Sequence, residues 1–335
     1  MLKLSKLALA LVLVVGGVVR VDTGTTASFR AVSAAPDGRS VWASGRDGTV
    51  LKSQDGTRWL VDSLPEAQSF DLRGIVAVGG GAAYAMVSRV DTARIYKTID
   101  GGDHWELQYD DTRRGVLLDD IAFWDPLHGI ALGDPIDGTF LVLTTDDGGA
   151  TWTRVASGAL PAPERGETAF AASNTALVVG PQGLAWFATG GGARARVFRT
   201  DDAGQYWTVS DLPIAAGDST SGAFSLAFRD ARHGLAVGGD YAVPDSSRAN
   251  VARTDDGGRS WHLADSARTV PYVSAVMAAG GDTAVATGPR GTFLTVDWGT
   301  HWRRVDSVRY NAVAVARDRA ILVGPKGSAG YLPLR

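Results

Sequence analysis

Two sets of acidic residues in this chain could do chemistry, and their spacing assigns them different work. Asp55, Asp100, Asp147, Asp202, Asp256 and Asp297 each stand two residues after a Ser or Thr. Each is followed by a Gly and then a closing Trp, at Trp59, Trp105, Trp152, Trp207, Trp261 or Trp302. A carboxylate in that setting can accept hydrogen bonds from its own loop's amides while the Gly takes positive φ, which makes a hairpin corner. A calcium loop would need oxygen ligands at alternate positions and an acidic closing residue, which these turns lack.

The second set is irregular: Asp119, Asp120, Asp134, Glu167, Arg194, Ser219, Ser221, Asp240 and Tyr241. Its carboxylates could accept hydrogen bonds or hold cations, and Arg194 could hold an anion. GGGAR at 190–194 has the composition of a phosphate cradle, but it opens no helix whose terminus would make such a loop effective. No catalytic constellation is recognisable, so no residue is assigned a catalytic role. Capping of turns and pairing with arginines is the competing structural role of Asp119, Asp120 and Asp240. His104 and His301 lie inside Trp-closed turns, and His128 and His233 occupy equivalent corners of two similar segments, so repetition accounts for them and no zinc site is expected.

The elements that must position these residues follow from the repeat. The closing tryptophans are 46, 47, 55, 54 and 41 residues apart, by subtraction of adjacent positions, and periods near 40 to 50 mark repeat architectures. Residues 119–155 hold the apolar runs IAFW, GIALG, FLVLTT and WTRV, separated by Asp, Gly and Pro. That is a four-stranded blade. Residues 310–335 offer three strands and no Trp-closed turn, while Val19 to Asp22 stands where a blade has its outermost strand. The expectation is an all-β, seven-bladed propeller of antiparallel four-stranded blades, shut by the N-terminal strand completing the last blade. With the strands of a blade lettered a to d from the channel outward, the connections between d and the next a and between b and c share one face, on which the irregular set surrounds the central channel. Asp134, Glu167, Arg194 and Asp240 are expected to converge there in one pocket.

Lys3 and Lys6 ahead of the apolar stretch Leu7 to Val15, then Gly16 and Gly17, read as a secretory signal over residues 1–17. The stretch is short for a membrane span. The propeller would be a single domain over 18–335, periplasmic or extracellular. With no cysteine the chain has no disulfide and no lipid-modified Cys. A formal charge of -3 without blocks of like charge gives no footprint for nucleic acid. The composition suits a soluble monomer, and no cofactor is expected.

The Trp-closed turns resemble the Asp-box, or BNR, repeat. FRAVSAAPDGRSVWASGRDGTVLKSQDGTRW at 29–59 looks like the opening of bacterial propellers related to photosystem II stability and assembly factors. Similar stretches stand at 117–140, 166–173 and 219–228. The resemblance implies a non-catalytic scaffold that binds an envelope protein or complex through its channel face, with a glycan or small ligand as the lesser occupant. Asp-box propellers also include sialidases and other glycoside hydrolases, the alternative reading. Phe29-Arg30-Ala31-Val32 stands where a sialidase places its first substrate-binding arginine, though Ala31 and Val32 break the usual motif, and paired aspartates from different blades would also serve hydrolysis. A third reading is the label "oxidoreductase" that relatives often carry. No G-x-G-x-x-G after a strand, cysteine pair or haem constellation accompanies it here.

Overall fold

A computed structural model describes residues 17–79 and 81–334. The proposed leader, apart from Gly17, lies outside the described residues. Seven antiparallel sheets of four strands each form the ring. Their innermost strands are β2 (Phe29–Ala34), β6 (Leu72–Gly79), β10 (Leu118–Phe123), β14 (Leu177–Val179), β18 (Ser221–Phe228), β22 (Ala275–Ala278) and β26 (Ala312–Ala316), in blades one to seven. Middle strands such as Val41–Gly45 are buried along their whole length, because a neighbouring blade covers each face. Outermost strands such as Arg303–Asp306 are half-exposed and polar. This gradient explains why the apolar runs of the sequence are continuous in some strands and absent in others.

Six of the seven seams between blades carry a closing tryptophan. Trp105 packs on the core shared by blades one and two, Trp152 on that of two and three, and Trp207 on that of three and four. Trp261, Trp302 and Trp59 do the same for the next two seams and for the seam between blades seven and one. The turns hold these rings in place through a repeated set of bonds. In one copy the Thr145 hydroxyl donates to Asp147 Oδ1 at 2.9 Å and accepts the Gly149 N–H at 2.8 Å, while Asp147 Oδ1 accepts the Thr151 N–H at 2.9 Å. The N–H and hydroxyl of Thr151 hold the Asp147 carboxyl down at about 2. His104 and His301 place Nδ1 2.7 Å from the aspartates of their own turns, and His128 and His233 each bond the Asp three residues earlier. All four histidines are therefore occupied locally.

The seam between blades six and seven has no such tryptophan. Its core is filled by Tyr310, which is fully buried, with Leu322, Leu332 and Val18. Here the chain's start closes the ring: β1 (Val19–Val21) pairs antiparallel with β28 (Ala329–Pro333), in the register Val19 to Tyr331, Arg20 to Gly330 and Val21 to Ala329. Arg20 then reaches across the seam. Its guanidinium donates to both carboxylate oxygens of Asp306 at 2.6 and 2.7 Å and to the Tyr310 hydroxyl at 2.6 Å. Gly327, at φ +71°, lies against the Thr25 carbonyl where a Cβ would collide, so the chain can pass from β1 into blade one only over a glycine.

A bidentate pair with an added hydroxyl, half in solvent, is worth about 1 kcal/mol. Arg20→Ala should lower the unfolding free energy by that amount, read as a lower urea midpoint at an unchanged m-value. Removal of residues 1–21 should also lower the m-value or abolish cooperative unfolding, because it opens the ring. Urea titration followed by tryptophan fluorescence distinguishes the two.

Candidate functional site

One repeated irregularity builds the site. At the start of the inner strand the pairing register slips by a residue in blades one, two, three and five, between Phe29 and Ala31, Leu72 and Gly74, Leu118 and Asp120, and Ala223 and Ser225. The bulged residues are Arg30, Arg73, Asp119 and Phe224. Ser274 and Asn311 hold the matching places in blades six and seven, as Val273-Ser274-Ala275-Val276 and Tyr310-Asn311-Ala312-Val313 align with Phe29-Arg30-Ala31-Val32. A bulge turns its side chain away from the pleat, and such positions often serve sites. It also drives the preceding carbonyl against the second strand, where Gly45, Gly133, Gly238, Gly288 and Gly324 stand. A Cβ at any of these would meet backbone.

Five of these six side chains line a cavity of 490 Å³ on the channel face: Arg30, Arg73, Phe224, Ser274 and Asn311. Its floor is a segment that crosses the axis ahead of β14. Arg73 donates to the Ala171 carbonyl at 3.1 Å, Ser173 to the Ser274 carbonyl at 2.8 Å, and Asn174 to the Ile121 carbonyl at 3.2 Å. Thr175 meets Ser225 hydroxyl to hydroxyl at 2.7 Å. One stretch of blade four is thus tied to blades two, three, five and six. Asn174 takes φ +59°, a conformation Asn tolerates better than most residues.

The cavity has two unlike arcs. Arg309, Arg30 and Arg73 come from blades seven, one and two, while Phe170, Phe224, Tyr241 and Tyr272 come from blades four to six. Phe170 and Phe224 stack with centroids 4.0 Å apart, and Tyr272 meets Phe224 edge-on at 4.9 Å. Burial pushes the Tyr272 hydroxyl well above its ordinary range, so it stays a neutral donor. Asp71 bridges the bases of Arg30 and Arg73 at 3.3 and 3.4 Å. Burial lowers the Arg30 guanidinium against this partner, so an anion that replaced lost solvation would be favoured there. No carboxylate is among the lining residues. Such a bowl can hold a carboxylate or phosphate in forked hydrogen bonds while an apolar body rests on the rings.

Of the nine residues expected on this face, Tyr241 lines the cavity. Asp134, Glu167, Arg194 and Asp240 do not converge in it, and each has a local occupation instead. Glu167 is buried in an ion pair with Arg196 and accepts the Thr189 hydroxyl at 2.6 Å. Arg194 is exposed and held by Glu164 and Asp211. Asp240 caps the Ala242 N–H at 2.8 Å, Ser221 closes a turn with Asp218, and Ser219 is exposed.

Behind the floor Asp119 and Asp120 are buried and Asp134 is half-buried, and their carboxyls meet backbone N–H groups. Asp134 accepts the Ala169 N–H at 3.1 Å, Asp120 accepts those of Ile121 and Leu177 at 2.8 Å each, and Asp119 faces the Ala171 N–H. Sequence reading missed Arg30, Arg73 and Arg309 as a group, although Phe29-Arg30-Ala31-Val32 and Leu72-Arg73-Gly74-Ile75 put the first two in register.

By sequence the chain matches no family model and no curated protein. By structure it resembles other propellers. A structure described as YCF48 bound to D1 peptide superposes with TM-score 0.69 at 14% identity, over 95% of this chain and 97% of that one. YCF48 from Cyanidioschyzon merolae gives 0.67 at 13%, over 95% and 99%. The GH74 enzyme of Niastella koreensis gives 0.63 at 15%, over 92% of this chain and 53% of that one. At such identities the likeness is one of fold.

Burial pushes the Asp120 carboxyl up to about 8, and the N–H donors of Leu177, Ile121 and Ala176 oppose it. A raised acid binds its proton in the folded state and releases it in the unfolded one. Its contribution therefore makes stability fall as pH rises from about 4 towards 8. Asp120→Asn should flatten that decline, read as urea midpoints at pH 5 and pH 9. An unchanged slope would show that Asp120 does not titrate in this window.

Proposed function

We propose that this chain is a binding scaffold whose channel-face bowl receives a segment of a protein partner that carries an acidic group beside an apolar or aromatic side chain. The observation that carries the reading is the pairing of three arginines with an aromatic wall in a cavity without a lining carboxylate. That chemistry attracts an anion by field and holds an apolar body by contact. It offers no pair of carboxylates flanking a cleft, which glycosidic cleavage requires. The likeness to YCF48, of which one solved structure holds a D1 peptide, supports a polypeptide as the class of occupant. The partner in this reading belongs to an envelope protein or complex under assembly, and the chain is an exported relative of the assembly-factor propellers. A leader ending at Gly17 suits this, since Val18 packs in the last seam and Val19 begins the closing strand.

The test is capture of a partner from the native envelope fraction by immobilised protein. Arg30→Glu should reduce capture roughly tenfold or more, the usual scale for placing like charges against an interfacial anion. Arg194→Ala should leave capture intact, because Arg194 is paired on the exterior. Equal capture by wild type and Arg30→Glu would refute the assignment of the bowl.

A further inference from the structure

The residue at the bulge of blade three breaks the pattern of the ring. Arg30, Arg73, Phe224, Ser274 and Asn311 enter the cavity from the same position at which Asp119 is almost wholly buried. The floor covers it: the Ala171 N–H faces Asp119, and Ala171 itself lines the bowl. One oxygen of the carboxyl, Oδ2, is buried and has no hydrogen-bond partner. An ionised carboxylate left in that state is strongly disfavoured, so the group must be neutral or find a cation.

The groups that act on it can be named element by element. Asp120 stands beside it on β10 and Asp134 faces it from the next strand of blade three, both of the same sign. Arg73, on β6 of blade two, is the cation whose field reaches it. Burial first, then Asp134 and Asp120, hold the Asp119 carboxyl well above the usual range. Arg73 is committed only in part. It donates to the Ala171 carbonyl and lies 3.4 Å from Asp71, which it shares with Arg30, and its Nε has no hydrogen-bond partner.

We propose that Asp119 is a positioning residue for the bowl: protonated, it leaves Arg73 free to hold an anion from solvent, and ionised, it draws Arg73 inward and competes with that anion. The proton comes from and returns to solvent, so the exchange is one anion bound for one carboxylate neutralised. By linkage, whatever anion occupies Arg73 also favours protonation of Asp119. Binding in the bowl therefore weakens as pH rises through the titration of Asp119. This inference rests on the bowl being the binding site and adds a regulation to it.

The experiment uses 3-phenylpropionate as a probe, since it joins a carboxylate to a ring and stays ionised from pH 6 to pH 9. Its affinity for the whole protein is read by NMR titration across that range, in wild type and in Asp119→Asn. Wild type should lose affinity roughly tenfold, the equivalent of one unit of proton linkage. Asp119→Asn should bind alike at both ends of the range, at the strength of wild type at pH 6.

Should that variant not fold, the carboxyl carbon of Asp119 is followed in wild type with and without the probe. Saturation should raise its titration midpoint by about one unit. Binding with the same pH profile in both proteins, or an Asp119 midpoint that ignores the probe, overturns the coupling and leaves the bowl standing. No binding of the probe at any pH removes the bowl as an anion site, and the coupling with it.

Discussion

Closure of the ring is the constraint on which the rest depends. Every blade buries both faces against neighbours, so an open array would expose two cores at once. Six seams are filled by a tryptophan that a hydroxyl and a carboxylate hold in its turn. The seventh is held by three residues of β1, the Arg20 clasp and Tyr310. At the next seam, between blades seven and one, Arg309 and Asn311 line the bowl from one side and Arg30 from the other, and without closure the cationic arc would lose its continuity. Asn311 reinforces the junction, donating to the Phe29 carbonyl at 2.7 Å.

Much of the fold was legible because its causes are local and repeated. A Ser or Thr, an Asp and a Gly make the same corner wherever they fall, and the Trp that follows must cover a seam. The closing strand was legible for a related reason: Val19 to Asp22 stands where a blade has its outermost strand, and the last blade lacked one of its own. Even the corners at His128 and His233 behave alike, each tied to the Asp three residues before it.

The site was legible only as a face. Irregular loops were weighted as the mark of function, and most irregular residues turned out to be holding the scaffold together. Glu167 and Arg196 satisfy each other in a place where neither could stand alone. Asp120 and Asp134 bond the backbone amides of Leu177, at the head of β14, and of Ala169, in the segment before it. The cavity instead uses a regular position of the repeat, at the head of the inner strand, which is bulged in blades one, two, three and five. The signal was present in the alignment of Phe29-Arg30-Ala31-Val32 with Leu72-Arg73-Gly74-Ile75. Its meaning depended on the register slip, which pairing reveals and composition does not.

A ring in which successive blades each present residues at their inner ends can specify a ligand by the order of those residues around the axis. Cations in three successive blades and aromatic rings in another three give the bowl a direction, so an occupant with a charged end and a flat body fits in one orientation. The floor is fixed in place by the ring around it. Arg73, Asn174, Ser173 and Thr175 tie it to four blades. Such a receptacle suits the recognition of a projecting group on a larger partner. Blade three contributes the remaining position, and there a carboxylate in the open would have cancelled the charge of its neighbour Arg73. Burying Asp119 under the floor keeps the arc cationic while leaving an acid within reach of it.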